Sequence, residues 1–430
     1  MRIAGIALSA ALIGAAVACA ALSGCARRGG QAEADRGQGA AAPRKVLLSV
    51  LAGQSTSAPG IEEMINDLLE RELPGVELEW EKVGWGDKFQ SQMHAKFSSG
   101  EVPDIMIGKA QDVATYLPSG NLAPIPDSLM ARVRDEALPA VSFGGKAYGI
   151  PYNAFYQGVF YNKDIFAKFG LSPPSTRAGL AETVRKLKAA GITPFAAEFD
   201  ESWYAGNVVM QVAIGEVFSR VPDWGDRFRA GELSFSTSPA YRGCFLALRD
   251  IRDASWPDAY AIGASECDER FAMGKAAMYV SGSWNLQMVN AVNPGMSVGL
   301  FPYPNSSGDA KLILEPNMTF MKSSKTEHPA EVDAVLAAVF GSKDLASRIF
   351  DFTRTSSLLK DGSEVPLPIQ ADIDRYRREG RIVDATGGNT QLIWSFQENM
   401  AVRLDDWLQG KASLASVLAF ADANRAQSSP

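Results

Sequence analysis

The chain has 430 residues, 46% of them hydrophobic and 21% charged. That balance excludes a disordered or membrane-embedded protein, and the length is too great for one hydrophobic core. A formal net charge of -7 argues against a nucleic-acid partner, since phosphate binding needs a basic face, and suits a neutral or weakly charged ligand.

Residues 3–22 form an uncharged, alanine-rich run, preceded by Arg2 and ended by Leu22-Ser23-Gly24-Cys25. This is the layout of a secretory signal over 1–24. The ending resembles the lipobox of bacterial lipoproteins, in which the cysteine matching Cys25 carries diacylglycerol and becomes the first residue. Each buried acyl CH₂ contributes about 0.8 kcal/mol, so two or three chains hold a protein at a bilayer. Loss of Arg2 takes 42 basic residues to 41 against 49 acidic ones, a formal charge of -8. Residues 26–43 are rich in Ala, Gly, Gln and Arg without an apolar period, which predicts a disordered tether over 25–43.

Val46 to Leu51 is an apolar run interrupted only by Ser49 and closed by Gly53, the pattern of a strand buried on both faces. Ile61, Met64, Ile65, Leu68 and Leu69 recur at helical spacing between Pro59-Gly60 and Pro74-Gly75. Val76, Leu78 and Trp80 alternate with Glu77, Glu79 and Glu81, predicting a strand with one wet side. A helix over Asp87–Phe97 and a strand at Asp104–Ile107 complete β-α-β-α-β, hence a parallel sheet with helices packed on it. A second unit follows, with a strand at Gly158–Tyr161, a helix over Ala178–Ala190 closed by Gly191, and a strand from Thr193 to Ala196. Between the units, residues 145–153 carry the glycines and proline of an extended crossover. Cys244 and Cys267 are left once Cys19 and Cys25 are set aside; they are free to bridge in an oxidising envelope or to remain as buried thiols.

Much chemistry is absent from the sequence. His94 and His328 are the only two histidines, and there is no His pair at ligand spacing, no Cys-x-x-Cys and no EF-hand loop, so no metal site is expected. Neither a G-x-S-x-G elbow nor a Walker loop occurs. What remains is a set of tryptophans at loop positions (Trp85, Trp203, Trp284 and Trp394) among side chains with planar polar ends. Sugars bind to such sets: their C–H faces stack on indoles while their hydroxyls need Asp, Asn, Gln, Glu or Arg partners.

Seven stretches occur in one order: GEVPDIMIG at 100, YLPSGNLAPI at 116, GGKAYGIPYN at 144, GVFYNKDIFAKFGLSPPST at 158, FAMGKAAMYVSGSW at 271, LFPYP at 300 and LQGKASLASVLAFA at 408. With them the chain from Lys45 to about Asn424 resembles the bacterial ABC-transporter extracellular solute-binding proteins of family 1, of the maltose- and oligosaccharide-binding type. The resemblance implies a two-lobed α/β fold, each lobe a mostly parallel sheet flanked by helices and joined by a multi-crossing hinge. Its first lobe would be 44–153 plus 271–308, and its second 154–270 plus 309–430. Implied too are a sugar or oligosaccharide bound between the lobes, delivery to the permease subunits of an ABC importer, a monomer anchored by lipid outside the cytoplasm, and neither cofactor nor catalysis.

Matching motifs carry over ligand contacts of unequal strength. Trp284, after the Ser281-Gly282-Ser283 turn, leads. Asp200, Glu201 and Trp203 match a second-lobe loop that supplies an acid and an aromatic, and Gln111 and Asp112 follow the PDIMI strand. Gly108 stands where some maltose-type members have an aromatic, which implies a different specificity. Gln54, Asn153, Glu315 and Trp394 are weaker matches. One alternative from another class is a cell-envelope glycosidase or lyase using Asp200 and Glu201; another is a binding protein of the same fold for a lipid, peptide or other non-sugar solute.

Overall fold

The computed structural model describes residues 45–53, 60–84, 87–360, 366–385, 394–423 and 425; for 87 and 394–399 it describes the backbone alone. Cys25, the residues before and after it up to 44, Gln54, Trp85 and the Trp394 side chain lie outside that set.

The N-terminal alternation forms as the apolar pattern dictates. Strand β1 (Val46–Gly53) is followed by α1 (Ile61–Glu72), β2 (Val76–Val83), α2 (Asp87–Ser99) and β3 (Ile105–Gly108). Helix α1 starts at Gly60, whose φ of 100° only glycine adopts without strain, and it buries Ile61, Ile65, Leu68 and Leu69. Both β2 and β3 pair in parallel with β1. Glu77 and Glu79 point outward from the edge strand β2, as its alternation requires.

The expected crossover is itself a strand. Instead of an extended link followed by a short strand, residues Ile150–Asn162 run unbroken as β4. Beyond it lie β5 (Thr193–Ala196), α3 (Trp203–Glu216), α4 (Pro239–Arg252), α5 (Ala264–Ala272), β6 (Ala276–Gly282), β7 (Val298–Phe301), β8 (Leu312–Ser323), α6 (Pro329–Gly341), α7 (Lys343–Thr353) and α8 (Trp394–Leu408). The strand order is β2-β1-β3-β8-β4-β6-β5, with β7 also paired to β4. One strand group (β2, β1, β3) is joined to the other (β6, β5, β7) by the antiparallel pair β8 and β4. The pairing of Thr319–Lys322 with β3 and of Ile313–Asn317 with β4 carries β8 across, and β4 continues to β6 and β7 through Gln157–Asn162. This is a two-lobed α/β fold.

Within the strand groups β2 and β3 run parallel to β1, and β5 parallel to β6, while the antiparallel crossing pair β4 and β8 makes the sheet as a whole mixed. One expectation is corrected. The segment 271–284 does not return to the first lobe: β6 lies between β5 and β4, in the second strand group. Conversely, β8 pairs with β3, and α6 and α7 pack against α1, so part of 309–430 belongs with the first group. Motif order fixes the sequence of elements; the sheet edge each one joins depends on long-range pairing that no local pattern encodes.

Helix α3 is buried almost all round, as a helix apolar on every side must be, and it packs against α4 and α8. Among the described cysteines, Cys244 and Cys267 are buried free thiols, which answers the question the sequence leaves open. No described helix is long and apolar enough to cross a membrane.

Candidate functional site

Three half-buried aromatic rings meet where the crossing strands join the second group. Phe155 is the one position of β4 that is not fully buried. Trp284 follows β6 in a short turn, Ser283–Asn285, pinned to β4 because Ser283 Oγ accepts the Tyr156 N–H at 3.1 Å. Trp203 opens α3. The Trp284 ring lies edge-on to Phe155, with centroids 5.6 Å apart and planes at 87°, and also to Trp203, at 6.4 Å and 66°. Such edge-to-face contacts hold the rings while leaving apolar surface open.

Beside the rings runs a buried polar chain. Glu315, on β8 and 1% exposed, accepts from Lys109 Nζ at 2.6 Å and from Gln157 Nε2 on β4. Gln157 Oε1 accepts from Asn207 Nδ2 at 3.1 Å, and Asn207 Oδ1 accepts from Gln211 Nε2 at 2.8 Å. The same Gln211 nitrogen also donates to the Ser281 carbonyl of β6 at 3.2 Å. The chain thus links the loop after β3, both crossing strands, α3 and β6. A network bonded in this way favours one relative placement of its elements, with Gln211 Oε1 left buried and without a partner.

Of the residues singled out by sequence, the structure brings Trp203 and Trp284 together and sets Glu315 in the polar chain. Asp112 is buried, and its Oδ2 accepts the Lys109 N–H at 2.7 Å; burial pushes its carboxyl up to about 6, against the opposing pull of Lys109. Gln111 is half-buried, and its Nε2 is buried without a partner. Gly108 admits no side chain as packed, since a Cβ there would lie 2.5 Å from Asp112 Oδ2 and 3.1 Å from the Phe89 ring. Asn153 is buried and donates to Thr355 Oγ1 at 2.9 Å, tying β4 to the stretch after α7.

Asp200 and Glu201 are exposed. Asp200 Oδ2 lies 4.0 Å from where a Gly263 Cβ would stand, so it faces the loop before α5. Their charges act on Glu198, a fully buried neighbour whose carboxyl is pushed up to about 8 by burial, then by Asp268 and, more weakly, by Glu201 and Asp200. Tyr279 donates to Glu198 Oε1 at 3.2 Å. Among the described residues no group of His, Cys, Asp and Glu could hold a metal ion.

Sequence reading misses Phe155, Lys109, Gln157, Asn207 and Gln211. A usable signal was present for two of them: Asn207 and Gln211 are the lone amides, four apart, in the otherwise apolar run NVVMQVAIG. Phe155 and Gln157 lie in a strand whose pairing only the fold reveals.

Two strand groups joined by crossing strands, with open aromatic rings and a buried polar chain at the junction, define a binding protein built from two lobes. A sequence profile of the bacterial extracellular solute-binding proteins matches residues 52–345, more than half the chain, and the chain belongs to that family. An uncharacterised ABC-transporter extracellular-binding protein of Pyrococcus horikoshii is 27% identical over 274 residues, covering 60% of each chain. The multiple sugar-binding protein of Streptococcus mutans is 24% identical over 281 residues, covering 64% of this chain and 66% of its own. The chain therefore spans under two thirds of the length of these two relatives. A solved sugar transporter from Bacillus licheniformis in complex with stachyose superposes with a TM-score of 0.73 at 16% identity, covering 89% of this chain and 100% of that one.

Proposed function

We propose that the protein is the solute-capturing component of an ABC importer, holding a sugar or oligosaccharide between its lobes without altering it and handing it to a membrane permease. The observation that carries this reading is the half-open triad Phe155, Trp203 and Trp284 beside a polar chain rich in planar groups. Indole faces remove the C–H faces of a pyranose from water, exposed planar groups such as those of Asp200 and Glu201 pair its hydroxyls, and the buried chain holds the elements that carry the rings. The sugar-binding relative and the stachyose complex support the choice of ligand class.

A solute touching both lobes favours the closed arrangement by its extra contacts there, and the permease reads that form. The crossing strands β4 and β8 serve as the hinge. Gln111 and Asp112 would contribute from the loop after β3, and Asp200 and Glu201 from the rim, with Gln54, Asn153 and Trp394 as further contacts. The protein acts as a monomer outside the cytoplasm, held to the membrane by diacylglycerol on Cys25; Cys25→Ser would move it from the membrane to the soluble fraction, and an unchanged distribution would refute the anchor.

A thermal-shift screen over mono- and oligosaccharides tests the main reading, because a ligand bound only by the native state raises the melting temperature. Trp284→Ala should weaken the best binder by about 2 kcal/mol or more, roughly 30-fold, with the fold retained. Product formation during the incubation would instead indicate an enzyme. Absence of any sugar response, with a shift from lipids or peptides, would indicate a non-sugar solute.

A further inference from the structure

We propose that Gly282 is a positioning residue: the space left by its missing side chain is the seat of the Trp284 indole. A Cβ at Gly282 would stand 2.1, 2.3 and 2.4 Å from Trp284 Cζ3, Cη2 and Cε3. No methyl group shares space at that distance, so the ring edge lies directly on the glycine backbone. The backbone itself does not ask for glycine. At φ -129° and ψ 167° it is ordinary extended chain that any residue adopts. The requirement comes from the indole alone.

Gly282 is also the partner less free to move. It pairs with Gln157 on β4, and the preceding carbonyl accepts from Gln211. Added bulk therefore displaces the ring, whose rotation about its side-chain torsions breaks its contacts with Phe155 and Trp203. Gly158 provides the opposite case. A Cβ there would stand 2.6 Å from the backbone carbonyl oxygen of Phe301, so β4 and β7 must separate and stability must fall.

The seating rests on geometry alone; its consequence for ligand rests on the reading that Trp284 touches the solute. The near-UV circular dichroism and tryptophan emission of the full chain, taken without ligand, test the first part. Gly282→Ala should change both spectra while its melting temperature stays within about 2 °C of the parent, whereas Gly158→Ala should melt clearly lower. In a Trp284→Phe background the spectral effect of Gly282→Ala should vanish. A Gly282→Ala spectrum identical to the parent's, or a change of equal size in the Trp284→Phe background, overturns the proposal. Stachyose, added as the probe, separates the second part. If the parent is stabilised, Gly282→Ala should lose at least 10-fold in affinity. If neither protein responds while the spectra behave as stated, the seating holds and the ligand reading fails.

Discussion

Lys109→Met places a number on the polar chain. Glu315 is 1% exposed and Lys109 13%, with Nζ and Oε1 2.6 Å apart. Removing the ammonium strips a buried carboxylate of its cationic partner and leaves it the Gln157 amide as a donor. Breaking one side of a buried pair costs about 3–5 kcal/mol. The urea midpoint should therefore fall by roughly 1 M for a chain of this size. Adding Glu315→Gln removes the stranded charge and should recover at least half of the loss. Urea titrations of parent, single and double variants at pH 7 read this out. A single variant as stable as the parent, or a double variant no better than the single, would refute the reasoning.

Two further outcomes follow from burial. Glu198 and Asp268 have carboxyls pushed up to about 8 and about 7, by burial before anything else, and each keeps a buried oxygen without a partner. Their pKa values are raised on folding, so the stability they confer is complete below about pH 4 and is lost as pH climbs towards 8. Asp200 and Glu201 add negative charge from the rim, while the Tyr279 hydroxyl opposes the shift. Glu198→Gln should accordingly flatten the fall in melting temperature between pH 6 and pH 9; an equally steep fall would sink the assignment. Burial likewise pushes the Cys244 thiol up to about 12 and raises that of Cys267. Peptide mapping after alkylation should find both unmodified in the native protein and both modified in urea, since the thiolate is the reactive form; labelling of either one in the native state contradicts its placement.

The sequence made the elements legible more readily than their neighbours. Apolar runs and helical spacing located β1, α1 and β3 to within about two residues, because each signal arises from which local face is buried. Trp203 and Trp284 were legible through their motifs, and they do meet. The length of β4 and the side of the sheet joined by β6 were not, since both depend on pairing between residues more than a hundred positions apart. Asp200 and Glu201 read as a pair of equal standing with Trp203, yet both are exposed and Asp200 faces the Gly263 loop. Glu198, two residues earlier and fully buried, has the environment that shifts a carboxyl, and nothing in the run AAEFDESW distinguishes one acid from the next.

The polar chain is not explained by stability alone. A buried ion pair and its amides can often be replaced by apolar side chains of similar volume with no loss, so their presence at the crossing calls for another account. The aromatic rings supply it, because each is carried close to a member of the chain. Trp203 lies one helical turn before Asn207, which lies one turn before Gln211, all on one face of α3. Phe155 is one pleat from Gln157 on β4. Trp284 comes three residues after Ser281, whose carbonyl closes the chain. An apolar contact tolerates sliding, but a hydrogen bond between fixed atoms does not, and a slip of one residue in β4 would turn Phe155 to the opposite face of the sheet. The chain therefore acts as the register of the aromatic triad, and substitutions within it should disorder the rings before they unfold the protein.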